Sequence, residues 1–315
     1  MPQISFSTLA CPQWGWAETA RRAAEYGYDG VEVRMIAGDV DLLAQPEMAV
    51  GRRAESRRVF DDLGIRVCGL ASSVRFDFAT RDERQAQIDV GRRNLDLARD
   101  LGAGFVRVFG DVLPSAGDSA ARLERLHNIA DGLRALGDHA QSATPSVRVV
   151  METHGDFSDS ILAAELFELV PHPAVGLLWD THHPWRFHGE PLDETWRRLG
   201  SRVWHTHWKD SATNPTPRPS LVNGSASGSA GAIAAAEKAR QLMSGHRDAE
   251  YVLFGEGDFP AAECLRLLLE GGYNGWFSLE WEKAWHPELA DPEIALPQFP
   301  PRFRQLFESP QFTQT

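Results

Sequence analysis

Four short apolar stretches of this chain end in residues that bind hard metal ions: VRVVME at 147–152, VGLLWD at 175–180, VWHTH at 203–207 and WFSLE at 276–280. A short apolar run of this kind predicts a buried strand. A parallel strand buried on both faces has no reason to end in a carboxylate or an imidazole unless that end faces a site. The four endings therefore predict one metal site at the carboxyl ends of a parallel sheet.

Alternation of strands and helices extends this pattern to the rest of the chain. Four earlier strand candidates lie at Ile4–Thr8, Gly30–Arg34, Ile65–Ala71 and Phe105–Phe109. Most gaps between strands carry an amphipathic helical pattern, which is clearest at Arg81–Leu101. Such alternation implies parallel strands joined by right-handed crossovers. Eight repeats indicate that the sheet closes into a (β/α)8 TIM barrel, an α/β fold.

We expect one domain over residues 1–315, with long loops after the seventh and eighth strands. The first, 211–250, carries three alternating prolines and then a Gly- and Ser-rich run, a composition typical of a flexible loop. The second, 282–301, is rich in Pro and aromatic residues. Both would leave the barrel at the face of the predicted site, where long loops often serve as lids or substrate walls. We interpret 211–250 as a lid or docking insertion, with a disordered insertion as the alternative, and 282–301 as an aromatic loop.

Composition and charge disfavour several classes of protein. The 315 residues are 43% hydrophobic, with a net charge of -12 and a pI of about 5.4, which argues against a nucleic-acid or anionic-membrane partner. No apolar stretch approaches the roughly 18 residues of a membrane span. The N-terminus lacks the basic and apolar regions of a secretion signal, and the three widely spaced cysteines form no zinc-type cluster. A cytoplasmic location is the expectation that fits these features.

The four strand-end residues form a ligand set suited to a hard divalent ion. Glu152, Asp180, His207 and Glu280 supply three carboxylates and one imidazole. Structural zinc sites favour Cys and His, whereas Mn²⁺ and Mg²⁺ prefer carboxylate oxygens. We expect one divalent metal, Mn²⁺ first, with Mg²⁺ or Co²⁺ as alternatives. Taken singly, each of these residues has an ordinary structural explanation, so the prediction depends on the four together.

Further polar residues follow the same strand ends. His154 shares the strand-face parity of Glu152, and His183 and Lys209 follow the sixth and seventh strands. We expect these three side chains at the substrate, with His154 as a candidate base. His205 would point inward but deeper in the barrel, which is typical of a hydrogen-bonded core histidine.

The segment after the eighth strand is unusually aromatic. It continues from Glu280 as WEKAWHPEL. We expect Trp281, Trp285 and His286 to contact a flat or extended part of the substrate, because large aromatic faces suit such groups better than a small free sugar.

Taken together, these motifs resemble the xylose isomerase-like barrels. They are Glu-x-His on the fifth strand, Asp-x-x-His on the sixth, His-x-His followed by Lys-Asp on the seventh, and a late Glu on the eighth. That superfamily holds sugar phosphate isomerases and epimerases, inosose dehydratases, type IV apurinic endonucleases and catalytic subunits of C-glycoside deglycosidases. The resemblance implies metal ligands at Glu152, Asp180, His207 and Glu280, with the two glutamates also serving as an acid/base pair. It further implies that His183 contacts the substrate.

Three features depart from the ketose 3-epimerases of that superfamily. Thr213 stands where they carry an Arg, six residues beyond the strand-seven His. The loop after the seventh strand is far longer, and the segment after the eighth is more aromatic. In addition, no Gly-rich phosphate cradle is apparent. We therefore expect substrate contacts that differ from those of the epimerases.

Two reactions fit these residues. The first is isomerisation or epimerisation of a free sugar or polyol ketone, in which Glu152 or Glu280 moves a proton beside a carbonyl polarised by the metal. The alternative is a lyase that cleaves 3-oxo glycosides, as the resemblance to C-glycoside deglycosidase catalytic subunits implies, with His154 as the base. Those enzymes pair with a small second subunit, so we expect a homo-oligomer or a hetero-oligomer of that kind.

Two other functions are disfavoured. Apurinic endonucleases of this superfamily carry histidines on early strands, whereas the first histidine of this chain is His127, and the chain is acidic. A non-catalytic binding protein is the remaining alternative, because a barrel can retain ligands without turnover. The expected ligand is a small carbohydrate or glycoside, with neither nucleic acid nor membrane as a partner.

Overall fold

A closed barrel of eight parallel strands forms the centre of the protein. A computed structural model describes residues 2–213, 249–310 and 312 of the chain. The strands are β1 Gln3–Ser7, β2 Gly30–Val33, β3 Arg66–Arg75, β4 Phe105–Phe109, β5 Arg148–Glu152, β6 Val175–Asp180, β7 Val203–Trp208, β8 Asp210–Thr213, β9 Ala249–Val252 and β10 Trp276–Leu279. The barrel order is β1-β10-β7-β6-β5-β4-β3-β2, so the predicted TIM barrel is confirmed.

Helices cover the outside of the barrel between successive strands. Those of the described residues are α1 Trp16–Glu25, α2 Arg53–Asp61, α3 Arg81–Leu101, α4 Ser119–Gln141, α5 Ser160–Glu168, α6 His183–His188, α7 Leu192–Leu199, α8 Ala261–Glu270 and α9 Pro292–Phe307. Helix α3 has the predicted bounds because both of its ends are capped. Thr80 and Glu83 form a capping box at its start, and Gly102 ends it in the left-handed region at φ 75°.

Side chains inside the barrel change from apolar to polar along the strand direction. Phe105, Val150 and Leu178 belong to a buried apolar cluster, and each lies two residues before a polar residue of the same inward parity. The larger core lies between the strands and the helices and includes Leu95, Leu133 and many others. The apolar layer therefore closes the amino end of the barrel, and the polar groups gather at its carboxyl end.

The ends of the predicted insertion 211–250 form a two-stranded antiparallel sheet outside the barrel. Strand β8 pairs with β9, with Asp210 opposite Val252 and Thr213 opposite Ala249. Residues 214–248 lie outside the described residues, so the lid or docking role remains a prediction.

The aromatic loop expected at 282–301 is shorter than predicted. Helix α9 begins at Pro292 and contains Pro297, Pro300 and Pro301. A proline at the first position of a helix costs no hydrogen bond, and the buried side chains of Phe299 and Phe303 pack this helix against the core. The prolines therefore do not exclude a helix here, and the expectation of a loop is wrong beyond Asp291.

Among the described residues, the structure contains no helix that is long and apolar enough to cross a membrane.

Asp210 fastens the segment after β9 to the end of β7. Its carboxylate accepts hydrogen bonds from the backbone N–H groups of Gly255, Gly257 and Phe259 at 2.9, 3.0 and 3.1 Å, and from that of Ser211 at 2.8 Å. The side chain is buried, so these four donors would lose their partner together if it were removed.

We expect Asp210→Ala to lower the free energy of unfolding by about 3 kcal/mol, because four backbone donors, including those of the buried Ser211 and Phe259, would be left without an acceptor. Chemical denaturation measures this loss. Asp258→Ala is the control, since that carboxylate is 46% exposed and its partners among the described residues are Arg186 and the exposed Thr213. An equal loss in both variants would contradict the role assigned to Asp210.

Candidate metal centre and active site

The four predicted metal ligands come together at the carboxyl end of the barrel. Glu152 and Asp180 end β5 and β6, His207 lies in β7, and Glu280 directly follows β10. One ligand atom from each lies within 4.8 Å of the other three, and all four side chains are buried. The parallel sheet thus gathers residues that are far apart in sequence.

Backbone groups orient the carboxylate of Asp180. Its Oδ1 accepts hydrogen bonds from the N–H groups of His182 at 3.0 Å and His183 at 3.2 Å, where α6 begins. Because one oxygen is engaged by the turn, the other is directed into the cluster, where it lies 2.8 Å from Lys209 Nζ.

His207 is held by Glu32, a residue of β2 on the other side of the barrel. His207 Nε2 lies 2.9 and 3.0 Å from the two carboxylate oxygens of Glu32, and His205 Nε2 lies 2.8 Å from the same carboxylate. Burial opposes ionisation of Glu32, but the two histidines hold the pKa of its carboxyl well below the usual range. A proton on Nε2 leaves Nδ1 of His207 free to act as a metal ligand. His205 is fully buried, as expected of a core histidine.

The donors fit a hard divalent ion. Among the described residues, His207 Nδ1 and Glu152 Oε2 have no hydrogen-bond partner although both atoms are buried. His207 Nδ1 lies 3.3 Å from Glu280 Oε2 and 3.6 Å from Glu152 Oε1. Unpartnered buried polar atoms are rare in proteins. Three carboxylates with one imidazole suit Mn²⁺ or Mg²⁺ better than a metal that prefers thiolate ligands.

Lys209 lies among the carboxylates. Its Nζ is 2.6 Å from Glu280, 2.7 Å from Glu282 and 2.8 Å from Asp180, and 3.3 Å from His183 Nε2. Burial works against the charge, yet these three carboxylates raise the pKa of Lys209 well above its usual value. Lys209, which the sequence predicts to contact the substrate, is therefore also an ion-pair partner that neutralises part of the negative charge of the site.

His154 forms a pair with Asp111 at the mouth of the site. His154 Nδ1 lies 2.9 Å from Asp111 Oδ1, and Arg75 lies 3.3 Å from the other oxygen of Asp111. Asp111 has φ 56°, and its carbonyl oxygen would lie 2.6 Å from a β-carbon at Gly155, so only glycine fits there. Burial opposes protonation, but the hydrogen bond to Asp111 and the nearby negative charge raise the pKa of His154.

His183 is neutral and has a defined tautomer. Its Nδ1 donates to the carbonyl oxygen of Thr153 at 2.9 Å, which directs Nε2 toward Lys209 and Asp180. Burial, together with the positive charge of Lys209, lowers the pKa of His183 to about 3. The side chain can therefore accept a hydrogen bond in the site.

The three aromatic residues predicted at the substrate lie in different places. Trp281 is 3% exposed, packs in the core and donates from Nε1 to the carbonyl of Ala290. The expectation that it stacks on substrate is corrected, because its ring is already covered. Trp285 is half-buried beside Arg34, whose guanidinium lies 5.9 Å from its ring. The ring of His286 lies 5.4 Å from that of Tyr251.

Several charged residues of the site did not emerge from sequence reasoning. They include Glu32 and Arg34 in and after β2, Arg107 in β4, and Glu282 after β10. The first three carried a usable signal, since GVEVR and FVRVF place charges at alternate positions of apolar strands. Glu282 carried none, because its contacts to Lys209 and to the hydroxyl of Tyr251 depend on the turn after β10.

Comparison with known proteins places the chain among related barrels. A family model described as Xylose isomerase-like TIM barrel matches residues 20–297. The 3-dehydroshikimate dehydratase of Pseudomonas putida is 30% identical over 178 residues, which make up 55% of this chain and 25% of that protein. The match thus spans about a quarter of the length of that relative. Fructoselysine 3-epimerase of Escherichia coli O157:H7 is 21% identical over 91% of each chain.

Solved structures share the fold at low identity. The probable 3-DHS dehydratase AsbF from Bacillus anthracis has a TM-score of 0.68 at 18% identity, covering 94% of this chain and 96% of that chain. Two further neighbours were solved with a metal. One is the IOLI protein with zinc, with a TM-score of 0.68, 15% identity, and 99% and 100% coverage. The other is a Mycobacterium smegmatis protein with magnesium, with a TM-score of 0.62, 18% identity, and 94% and 96% coverage.

Metal binding should stabilise the protein, because an ion held by four strands binds the folded chain and not the unfolded one. We expect about one divalent ion per chain by elemental analysis, and a rise in melting temperature when Mn²⁺ is added to EDTA-treated protein. Asp180→Asn should lose the rise and Asp258→Asn should keep it. Equal behaviour of these two variants would contradict the ligand assignment.

Glu32 should set the metal affinity through His207. Glu32→Gln keeps all four ligands but replaces the carboxylate that orients the imidazole, so we expect the Kd for Mn²⁺ to rise about 10- to 100-fold. Isothermal titration calorimetry measures this change. Glu190→Gln is the matched control, because that carboxylate bonds to Thr195 outside the site. An unchanged Kd in Glu32→Gln would show that His207 is positioned by packing alone.

Proposed function

Because this chain belongs to the xylose isomerase-like TIM barrel family, we propose that it is a metal-dependent enzyme that removes a proton beside a carbonyl of a polyhydroxylated substrate. Its relatives include a dehydratase and an epimerase. Dehydration and epimerisation beside a carbonyl can both begin with loss of that proton. Of the two outcomes, the residues of this site favour elimination, which is a lyase reaction.

The observation that carries the proposal is the pair formed by His154 and Asp111. A carboxylate that holds one ring nitrogen orients the other as a base and stabilises the imidazolium that forms. No described residue forms a hydrogen bond with Nε2 of His154, so this atom is available to a substrate.

The glutamates of the ligand set are weaker bases than His154. Burial opposes their ionisation, yet Arg107 lowers the pKa of Glu152 to about 2. His207 and Lys209 likewise hold the pKa of Glu280 well below its usual range. A carboxylate of such low pKa has little tendency to take a proton from carbon.

The proposed ligands of the ion are Glu152, Asp180, His207 and Glu280, with Mn²⁺ first and Mg²⁺ or Co²⁺ as alternatives. When bound there, a divalent ion would polarise a substrate carbonyl and lower the free energy of the oxyanion that forms from it. Lys209 and His183 lie beside this position as a donor and an acceptor 3.3 Å apart, and a substrate hydroxyl group that binds both would replace their mutual contact.

In the elimination, His154 takes the proton from the carbon beside the carbonyl. The electron pair of the broken C–H bond forms a C=C bond, and the bond to the leaving group on the next carbon breaks. The imidazolium, stabilised by Asp111, returns the proton to the departing oxygen. One base is enough for this sequence, and 3-oxo glycosides or cyclic polyhydroxy ketones supply the required arrangement of carbonyl, acidic C–H and leaving group. Pairing with a small second subunit remains a prediction for a lyase of this kind.

Epimerisation or isomerisation is the second candidate. Glu152 Oε1 and Glu280 Oε2 converge on His207 Nδ1 from different strands, at 3.6 and 3.3 Å. Two carboxylates that approach a bound ketone from different strands can act on its opposite faces, one removing the proton and the other returning it.

His154→Gln should lower turnover about 10²- to 10⁴-fold while leaving the Mn²⁺ affinity unchanged, because a general base is lost and no ligand is. The rates are measured with 3-oxo glycosides, cyclic polyhydroxy ketones and free ketoses. His172→Gln is the matched control, since His172 forms a similar pair with Asp138 outside the site and its loss should leave the rate unchanged.

Product analysis in D₂O separates the two candidate reactions. Elimination yields an unsaturated ketone and a released leaving group, whereas epimerisation yields a deuterated isomer that keeps all its substituents. A deuterated isomer as the sole product, with a His154→Gln variant as active as the native protein, would replace the lyase by the epimerase.

A further inference from the structure

Two buried arginines at the carboxyl end of the barrel have N–H groups without partners. Arg34 directly follows β2 and is 8% exposed, and Arg107 lies in β4 and is 2% exposed. Among the described residues, Nη1 of Arg34 and both Nε and Nη1 of Arg107 find no hydrogen-bond acceptor. A buried guanidinium with unmet donors is costly, so these groups indicate an acceptor supplied by a ligand.

Neither side chain is fully explained by the neighbouring carboxylates. Arg107 Nε lies 3.4 Å from Glu152 Oε2, an ion pair that leaves the N–H groups on Nε and Nη1 of Arg107 without a hydrogen bond. Arg34 has no ion pair with any carboxylate of the described residues. Burial and the positive charge of Arg107 lower the pKa of Arg34 to about 9. The carboxylates of Glu280, Glu152 and Glu32 raise this pKa, but they do not offset the effect of burial and of Arg107.

Both guanidinium groups are held in place without using their donors. Arg107 lies 3.8 Å from the centre of the Phe109 ring, and Arg34 lies 5.9 Å from that of Trp285. The backbone of Arg34 is fixed as well, because its N–H donates to Thr8 Oγ1 at 2.9 Å. A donor group that is fixed before binding loses little entropy when a ligand arrives.

Charge is divided around the mouth of the barrel. The acidic candidate ligands lie in β5 and β6 and directly after β10, whereas Arg107 lies in β4 and Arg34 directly after β2. A substrate that places its carbonyl at the acidic side can therefore direct an anionic group toward the basic side. Such an arrangement would orient the substrate as well as bind it.

We propose that Arg34 and Arg107 form a subsite for a carboxylate group of the substrate, so that the substrate is a polyhydroxylated keto acid. This rests on the proposed function, which supplies the ketone. A planar guanidinium matches the two oxygens of a carboxylate and binds them with paired hydrogen bonds. A carboxylate is favoured over a phosphate, because the chain lacks a Gly-rich backbone cradle for phosphate.

Binding of three matched hexoses tests this subsite without turnover. D-glucose, D-glucuronate and D-glucose 6-phosphate differ only at carbon six, and isothermal titration calorimetry with Mn²⁺-supplemented protein gives their affinities. We expect glucuronate to bind about 10- to 100-fold more tightly than glucose, and Arg34→Gln to abolish this preference. Arg34→Lys should restore part of it, and Arg66→Gln, which removes a guanidinium lying 4.6 Å from the Trp276 ring, should leave it intact.

The outcomes separate this subsite from the proposed reaction. The carboxylate subsite would be overturned if the native protein bound glucuronate and glucose equally, or bound neither. It would also be overturned if the preference for glucuronate persisted in Arg34→Gln. Tighter binding of glucose 6-phosphate than of glucuronate would overturn the assignment to a carboxylate. None of these results depends on proton abstraction, and loss of turnover in His154→Gln leaves the binding experiment unaffected.

Discussion

The carboxylate of Glu32 is the constraint on which the rest of the site depends. It lies fully buried inside the barrel and has no lysine or arginine within ion-pair distance among the described residues. Its negative charge is tolerated there because two imidazoles and the hydroxyl of Ser278 surround it. Those imidazoles belong to β7, so a bond across the barrel between β2 and β7 fixes the direction of His207. The candidate ligand set is thus aligned by a residue that is not among the four proposed ligands.

Charge balance extends from that bond through the site. The imidazole of His207 lies between Glu32 and two carboxylates of the candidate ligand set. Those two carboxylates in turn pair with Arg107 and Lys209. Each charged group thus partly neutralises the next. A site built in this way retains its geometry because moving one charged group would leave another buried without a partner.

Strand periodicity revealed more of this protein than loop composition did. The barrel and the convergence of the four candidate ligands could be predicted because an apolar strand that ends in Glu, Asp or His is conspicuous in sequence. Glu32 and Arg107 carried a comparable signal, but recognising their partners requires knowing which strands face each other across the closed barrel. Trp281 was misassigned because the sequence does not distinguish an aromatic side chain at the surface of a polar segment from one buried in the core. Only the packing of the folded chain decides between the two. The helix at Pro292–Phe307 was hidden by its prolines, whose cost is offset by the burial of Phe299 and Phe303.

The short sheet of β8 and β9 has a consequence for how this barrel can change over evolutionary time. The two strands and the carboxylate of Asp210 tie together both ends of residues 214–248, just beyond Lys209. The entropy lost in closing a chain segment grows only with the logarithm of its length. Sequence can therefore be added or removed between these strands at little thermodynamic expense while Lys209 stays in register. The sheet is therefore a position at which the inserted segment can vary, and with it the substrate, while the residues of the proposed site stay in place.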